Sequence, residues 1–358
     1  MKNWDAIVIG AGIIGLSLAI ELNKRGLRVL VVEKGEPGRE ASWAAGGMLC
    51  EFPVESPPAL AELAGASGRM YPEFVHELQD ESGLKIDLRS QGTIVLTLVG
   101  TGLSPATTQT IALPQPLAEL EPALRVDGSA TLFLRERCVD PRQLTVAAVA
   151  AARHRGVEFS SGDHVLAVEV ADGKACAVRT NKTRFAASVV VNCAGAWAGE
   201  IGPHLFPTRP VKGQMLCVVM PEKELLRHVV RTSGCSQDVY LIPRSDGRML
   251  IGATVEEAGF DKQTVPETIQ KLRQAAIELV PRLAEARILE AWAGLRPGTP
   301  DGLPILGATP TPGYFVATGH FRDGILLAPV TAKIMARAID GQPPEINISG
   351  FSADRFTG

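Results

Sequence analysis

The 358-residue chain is poor in aromatic side chains, 5% of the total, and carries only six cysteines, at positions 50, 138, 176, 193, 217 and 235. These form no C-x-x-C pair and no His/Cys cluster, so neither a disulfide framework nor a structural zinc is indicated. A reducing cytoplasm suits them best. The six histidines have no metal-ligand spacing, and no metal is expected. No block of Lys or Arg exists and the net charge is −3, so nucleic acid lacks its electrostatic footprint. The apolar N-terminal stretch from Ala6 to Leu22 holds three glycines; it is too short to span a bilayer and lacks the cationic flank and cleavage site of a signal peptide. Also missing are a G-x-S-x-G elbow and a phosphate-loop lysine, which removes the usual hydrolase and kinase signatures. There is no repeat and no low-complexity tract. The Pro-containing stretches Phe52 to Pro58 and Ser104 to Pro122 read as excursion loops.

What is present is an ordinary globular composition, 46% hydrophobic and 21% charged, at a length that suits two domains or one large one. Ala6 to Ile9 is a short apolar run suited to a parallel strand buried on both faces. It leads directly into Gly10-Ala11-Gly12-Ile13-Ile14-Gly15. Helical spacing continues from Ile13 to Arg25, Gly26 stops it, and Arg28 to Val32 predicts a second buried strand ending at Glu33. In this G-x-G-x-x-G unit Gly10 makes the tight turn, Gly12 admits a pyrophosphate and Gly15 lets helix and strand pack closely. The helix N-terminus faces the anion. Glu33 can accept from a ribose 2′-hydroxyl and would repel a 2′-phosphate, which disfavours NADP. The unit alone leaves NAD and FAD open.

The small residues from Ala41 to Met48 suit either close passage beside a flat cofactor ring or a tightly packed loop. Val157 to Phe159, His164 to Val170 and Ala175 to Arg179 read as strands with a hairpin turn. Ser188 to Gly195 is a further buried strand, and Ala194-Gly195-Ala196-Trp197 is a second close-approach turn toward the adenosine side of the cofactor. Between Gln91 and Cys138, and between Lys212 and Glu290, longer alternating strands and one helix, Val265 to Val280, predict a second, largely antiparallel body inserted twice. The fold expected is therefore α/β: a Rossmann-type dinucleotide-binding domain (1–85, 139–205 and 290–358) with a discontinuous, largely antiparallel α+β substrate domain (86–138 and 206–289). Its clearest element is the hairpin of Val239 to Arg244 and Arg248 to Thr254, with Tyr240, Ile242 and Arg244 on one face. Arg296 and Arg322 sit in small-residue loops beside strand ends, where a guanidinium fork can grip a carboxylate or serve a structural ion pair. A last helix from Ile325 to Ile339 would aim its positive end at a reduced flavin.

Three segments, Ser42-Trp-Ala-Ala-Gly-Gly-Met48, Trp292-Ala-Gly-Leu-Arg-Pro-Gly-Thr-Pro-Asp-Gly302 and Gly319-His-Phe-Arg-Asp-Gly-Ile-Leu-Leu-Ala-Pro329, closely resemble the glycine oxidase branch of the D-amino-acid oxidase family. The resemblance runs over nearly the whole chain. It implies FAD contacts at Ile13, Ile14, Glu33, Lys34, Ala41, Ser42, Gly46, Gly47, Met48 and Val165, and along His320, Phe321, Asp323, Gly324, Ile325 and Leu326. It also implies a substrate carboxylate held by Arg322, Arg296 and the Tyr240 hydroxyl. Asp323 stands where the family has Asn, and Val255 follows Thr254 where relatives can carry a bulkier Met, which loosens strict glycine preference. Relatives that attach FAD covalently use a late cysteine; none lies beyond Cys235 here, so FAD is expected to be non-covalent. The implied reaction moves a hydride from the α-carbon of glycine, another small amine or a D-amino acid to flavin, then yields oxo acid, ammonia or amine, and, with O₂, hydrogen peroxide. A role in thiamine thiazole synthesis and a homo-oligomer, tetramer or dimer, are implied as well. No general base is nominated, and His320 reads better as a packing residue. The rival readings are a dehydrogenase of the same fold with another electron acceptor, and a non-catalytic dinucleotide-binding protein.

Overall fold

The computed structural model describes residues 3–51, 57–97, 113–125, 130–234 and 238–356. Most of the two expected excursion loops lies outside these. The first sheet runs in the order Ile305–Ala308, Tyr314–Thr318, Arg184–Asn192, Asn3–Ile9, Val29–Glu33, Glu158–Ser161. Asn3–Ile9 is central and parallel to both neighbours. Its alternate residues enter two different cores: Ala6 and Val8 pack under the helices Ile13–Lys24 and Gly324–Ile339, while Ile7 and Ile9 pack with Leu30, Val178 and Tyr314 on the other face. That double burial is why the strand is an unbroken apolar run rather than an alternating one. The hairpin Val165–Ala171 and Lys174–Thr180 extends the sheet through antiparallel pairing to Arg184–Asn192.

Two long helices, and the single-turn helices Ala41–Ala44 and Leu117–Leu120, go beyond the elements expected. Pro141–His154 starts at an Asp140 cap whose carboxylate accepts from the Arg142 and Gln143 amides at 2.9 and 3.3 Å, an N-cap arrangement favourable by about 1 kcal/mol. Ala61–Ser82 holds Pro72 within it, and that proline together with four glycine or serine positions masked its period. This long helix braces the start of the last one: Tyr71 donates to the Ile325 carbonyl and Ser67 to the Leu326 carbonyl, both at 2.6 Å. Tyr71 is fully buried, so Tyr71→Phe leaves a buried carbonyl short of its donor. The expected cost is about 1–3 kcal/mol, read as a fall in denaturation midpoint with the urea m-value unchanged.

The second sheet runs Arg287–Gly298, Arg209–Val219, Arg248–Gly252, Tyr240–Pro243, Val229–Ser233, Thr93–Thr97, Ala130–Leu134. Every pairing is antiparallel except that of Val229–Ser233 with Thr93–Thr97. The helix Pro266–Leu279 covers its outer face through Leu272 and Ala276, leaving the inner face toward the first sheet's loops. Arg296 is not in a loop, as its glycine- and proline-rich surroundings suggested. It lies inside the strand Arg287–Gly298, paired with Val211, and the second sheet therefore continues past residue 290. The strand lies at the sheet edge, where Pro297 is tolerated because a missing N–H there breaks no interior ladder. Among the described residues no helix is long and apolar enough to cross a membrane.

Candidate functional site

A cavity of about 990 Å³ runs from the glycine turn of the first sheet to the inner face of the second. That is the upper end of the range for small-molecule and cofactor sites. At its near end Gly10 has φ +99°, and a Cβ there would stand 2.6 Å from the Cys193 carbonyl oxygen. A Cβ on Gly15 would strike the Gly10 carbonyl, so Gly15 serves packing and lines no part of the cavity. Gly12 caps the helix, and the Ile13 amide donates to Ser42 Oγ at 2.9 Å. The Glu33 carboxylate accepts from the Ala11 and Gly35 amides at 2.8 and 2.9 Å while still lining the cavity. It thus stiffens the turn and keeps lone pairs for a ribose hydroxyl.

Next to it stands Asp163, 1% exposed. Its amide donates to the Glu33 carbonyl, its Oδ2 accepts from Ser160 Oγ at 2.7 Å, and its Oδ1 has no protein partner. A buried orphan acceptor on a cavity wall fits a donor carried by a ligand. Together with a turn that leaves no room for Cβ atoms, this is the fit an adenine dinucleotide requires. Lys34 lies with its Nζ 2.9 Å from the centre of the Trp197 ring, and burial lowers its pKa. Val165, Ala194 and Gly195 complete this end.

The middle of the cavity is bounded by Ala41, Ser42, Gly46, Gly47 and Met48. Gly47 has φ +81°, and a Cβ on Gly46 would lie 2.8 Å from Ile242 Cδ1, so this segment is pressed flat against the second sheet. Trp292 Nε1 and Arg244 Nη2 fasten it by donating to the Ala44 and Gly46 carbonyls at 3.1 and 2.6 Å. Across the cavity, the turn before the last helix brings in His320, Phe321, Arg322, Asp323, Gly324 and Ile325. Phe321 has φ +46° and its amide donates to the Pro297 carbonyl at 3.0 Å. A left-handed Phe costs roughly 1–3 kcal/mol, strain of the kind found where a loop must hold a site in place. The first-turn N–H groups of Gly324–Ile339 begin here and favour negative charge in the cavity. Leu326 differs from its expected role: its side chain is buried in the core beside the long helix and does not face the cavity.

His320 is 3% exposed and its Nε2 meets Thr331 Oγ1 at 3.1 Å. Burial pulls its pKa down to about 3. The folded protein therefore holds the ring neutral, whereas the unfolded chain protonates it below about 6.5. Stability from this group is complete above pH 6.5 and falls away as pH drops toward 3. His320→Gln is expected to flatten the acid limb of a denaturation-midpoint-against-pH curve, an effect measurable without any substrate.

At the far end the sheet floor is glycine. A Cβ on Gly213 would collide with the Arg296 guanidinium, and one on Gly252 would lie 2.9 Å from Tyr240 Cε2. Both polar side chains can lie across the sheet only because these positions are bare. Arg296 Nη1 donates to the Thr254 carbonyl at 3.0 Å. Burial lowers its pKa, Arg322 adds to the effect, and the Tyr240 hydroxyl beside it opposes. Arg322 is exposed at the cavity mouth, its Cζ 5.5 Å from the Phe321 ring centre. Thus Arg296, Tyr240 and Arg322 converge although they come from two strands and a turn. The sequence does not single out the bare floor, Asp163 or the cavity-lining Arg231: strand register shows the floor and Arg231 facing inward, and burial with an orphan oxygen shows it for Asp163.

A glycine-turned dinucleotide unit sharing one cavity with a cationic, largely antiparallel sheet is the build of a flavin oxidoreductase. The chain belongs to the family described as FAD dependent oxidoreductase, whose model matches residues 5–338, and FAD is its cofactor. It is 35% identical to glycine oxidase of Pseudomonas aeruginosa over 97% of both chains. It is 36% identical to the bifunctional protein ThiO/ThiG of Trichormus variabilis, over 98% of this chain and 55% of that one. The crystal structure of glycine oxidase from Geobacillus kaustophilus superposes with a TM-score of 0.93 at 31% identity, covering both chains completely.

Proposed function

We propose that the chain oxidises glycine and other small primary or secondary amines, D-amino acids included, to an oxo acid, ammonia or amine, and hydrogen peroxide. The observation that carries this reading is the convergence of Arg296, Tyr240 and Arg322 on a glycine-floored sheet facing the cofactor cavity. Bound FAD, held without a covalent link, supplies the hydride acceptor. The protein's own part is orientation: two guanidinium groups and a phenol grip the α-carboxylate and so fix the α-carbon against the cofactor. No side chain is assigned as general base. The imine released is hydrolysed by water, giving glyoxylate from glycine, and O₂ takes the electrons.

The two sheets divide this work, the first holding FAD through segments 1–85 and 139–205 and the chain after Gly298, the second holding substrate. A cytoplasmic homo-oligomer, dimer or tetramer, that supplies thiamine thiazole synthesis belongs to the same proposal.

The test is a panel of glycine, sarcosine, D-alanine, D-proline and larger D-amino acids assayed for peroxide under air. Stoichiometric peroxide from the small members is the expected result. Turnover with an artificial acceptor but no peroxide would instead indicate a dehydrogenase. Tyr240→Phe is expected to lower kcat/KM for glycine roughly 10- to 150-fold, because one hydrogen bond to a charged group contributes about 1.5–3 kcal/mol.

A further inference from the structure

Arg231 lies on the strand Val229–Ser233, 7% exposed, and lines the same cavity as Arg296 and Tyr240. Strand register places it with unusual definition. Arg231 pairs with Tyr240, Tyr240 with Gly252, Gly252 with Met215, and Met215 with Trp292. Residues paired across strands project from the same face. Arg296 is four residues along from Trp292 and so shares that face.

Arg244 shares this face but is spent on the Gly46 and Val139 carbonyls and lines no part of the cavity, so two guanidinium groups of the sheet, Arg296 and Arg231, line the cavity with Tyr240 between them. The Arg296 group reaches over Gly213 to the Thr254 carbonyl, at the end of the strand that contains Gly252. From that strand to the Arg231 strand is two strand spacings, roughly 10 Å. Glycine has one carboxylate and occupies only the Arg296 end.

The other neighbours of Arg231 shape the pocket. Its Nη1 lies 3.6 Å from Cys50 Sγ, which places the Met48–Cys50 segment directly over it. Its row partner on the far side is the apolar Val95. Glu136, 3% exposed, senses its charge, for burial raises the carboxyl pKa while Arg231 holds it back. Asp238 is exposed at the rim. A guanidinium presents five donors in a planar fork, suited to a carboxylate.

Resting on the amine-oxidase reading, we infer that Arg231 is a specificity-determining residue that binds the distal carboxylate of amino-acid substrates with an acidic substituent. The class comprises D-aspartate-like amino acids and N-carboxymethyl glycines, whose two carboxylates would lie between Arg296 and Arg231 with the α-carbon still held at the flavin.

The experiment uses FAD-loaded protein and its Arg231→Gln and Arg231→Lys variants, with glycine, D-aspartate and N-carboxymethylglycine as substrates. Succinate serves as an unreactive dicarboxylate whose binding is followed by perturbation of the flavin spectrum. Wild-type protein should turn over at least one acidic substrate. In Arg231→Gln the ratio of its kcat/KM to that for glycine should fall about 10- to 100-fold, chiefly through KM, with partial recovery in Arg231→Lys. Succinate affinity should fall in step. Equal losses for glycine and the acidic substrates, or wild-type protein that oxidises glycine yet neither binds succinate nor oxidises either acidic substrate, would overturn the assignment and leave Arg231 a structural residue. Failure of the parent reading looks different: no amine would reduce the flavin, whereas succinate binding would still report on Arg231.

Discussion

Arg296→Ala is expected to lower kcat/KM for glycine by roughly 10²- to 10⁴-fold, the equivalent of about 3–5 kcal/mol for removing one partner of a desolvated charge pair. The FAD content should stay at the wild-type level, because the Arg296 guanidinium reaches across Gly213 toward the substrate end and not toward the glycine turn. Arg296→Lys should recover little, since a point charge cannot reproduce the fork that lies along the sheet. Arg322→Ala is expected to be damaging but milder than Arg296→Ala. Arg322 is exposed at the mouth, where water screens it, and Arg296 remains beneath. Near-normal kcat/KM in Arg296→Ala would show that Arg296 is not the carboxylate anchor.

The second large effect is on cofactor binding. Gly10→Ala places a methyl group 2.6 Å from the Cys193 carbonyl oxygen in a backbone at φ +99°, and neither neighbour is the movable end of a side chain. The turn must open, and the pyrophosphate loses its approach. The expected outcome is protein isolated largely without FAD, its affinity for added FAD weakened at least about 100-fold, corresponding to about 2.7 kcal/mol. Gly26→Ala is the control for left-handed backbone alone: Gly26 has φ +85° with nothing within 4 Å of an added Cβ. It should lose about 1 kcal/mol of stability and keep its FAD. If both variants bind FAD equally well, close approach at Gly10 is not what the cofactor requires.

How much of this was legible in the sequence differs by element. The unit from Asn3 to Glu33 was readable almost residue by residue, because its strands are buried on both faces and its glycines obey local constraints. The hairpin around Tyr240 and the helix Pro266–Leu279 were readable for the same local reasons. The helix Ala61–Ser82 was not, since Gly65, Gly68 and Pro72 interrupt a pattern that packing against the last helix and against Pro141–His154 sustains. Arg296 was identified as a residue but misplaced as to element: glycine and proline usually mark loops, and only edge position in a sheet reconciles them with a strand. Arg231 left no signal at all. An arginine in a Val-Val-Arg-Thr strand reads as an ordinary outward charge until the pairing with Tyr240 shows which way it turns. Asp163 is comparable, an unremarkable turn residue whose orphan oxygen becomes visible only in three dimensions.

The central claim is that this cavity holds FAD at one end and orients a small amine by its carboxylate at the other. Anaerobic mixing of the FAD-loaded protein with glycine tests it most directly, with the visible flavin absorbance as the readout and Arg296→Ala run alongside. The expected result is bleaching of the wild-type flavin by glycine, much slower bleaching in the variant, and recovery of colour with peroxide when air is admitted. Wild-type flavin that stays fully oxidised with glycine and every other small amine would contradict it.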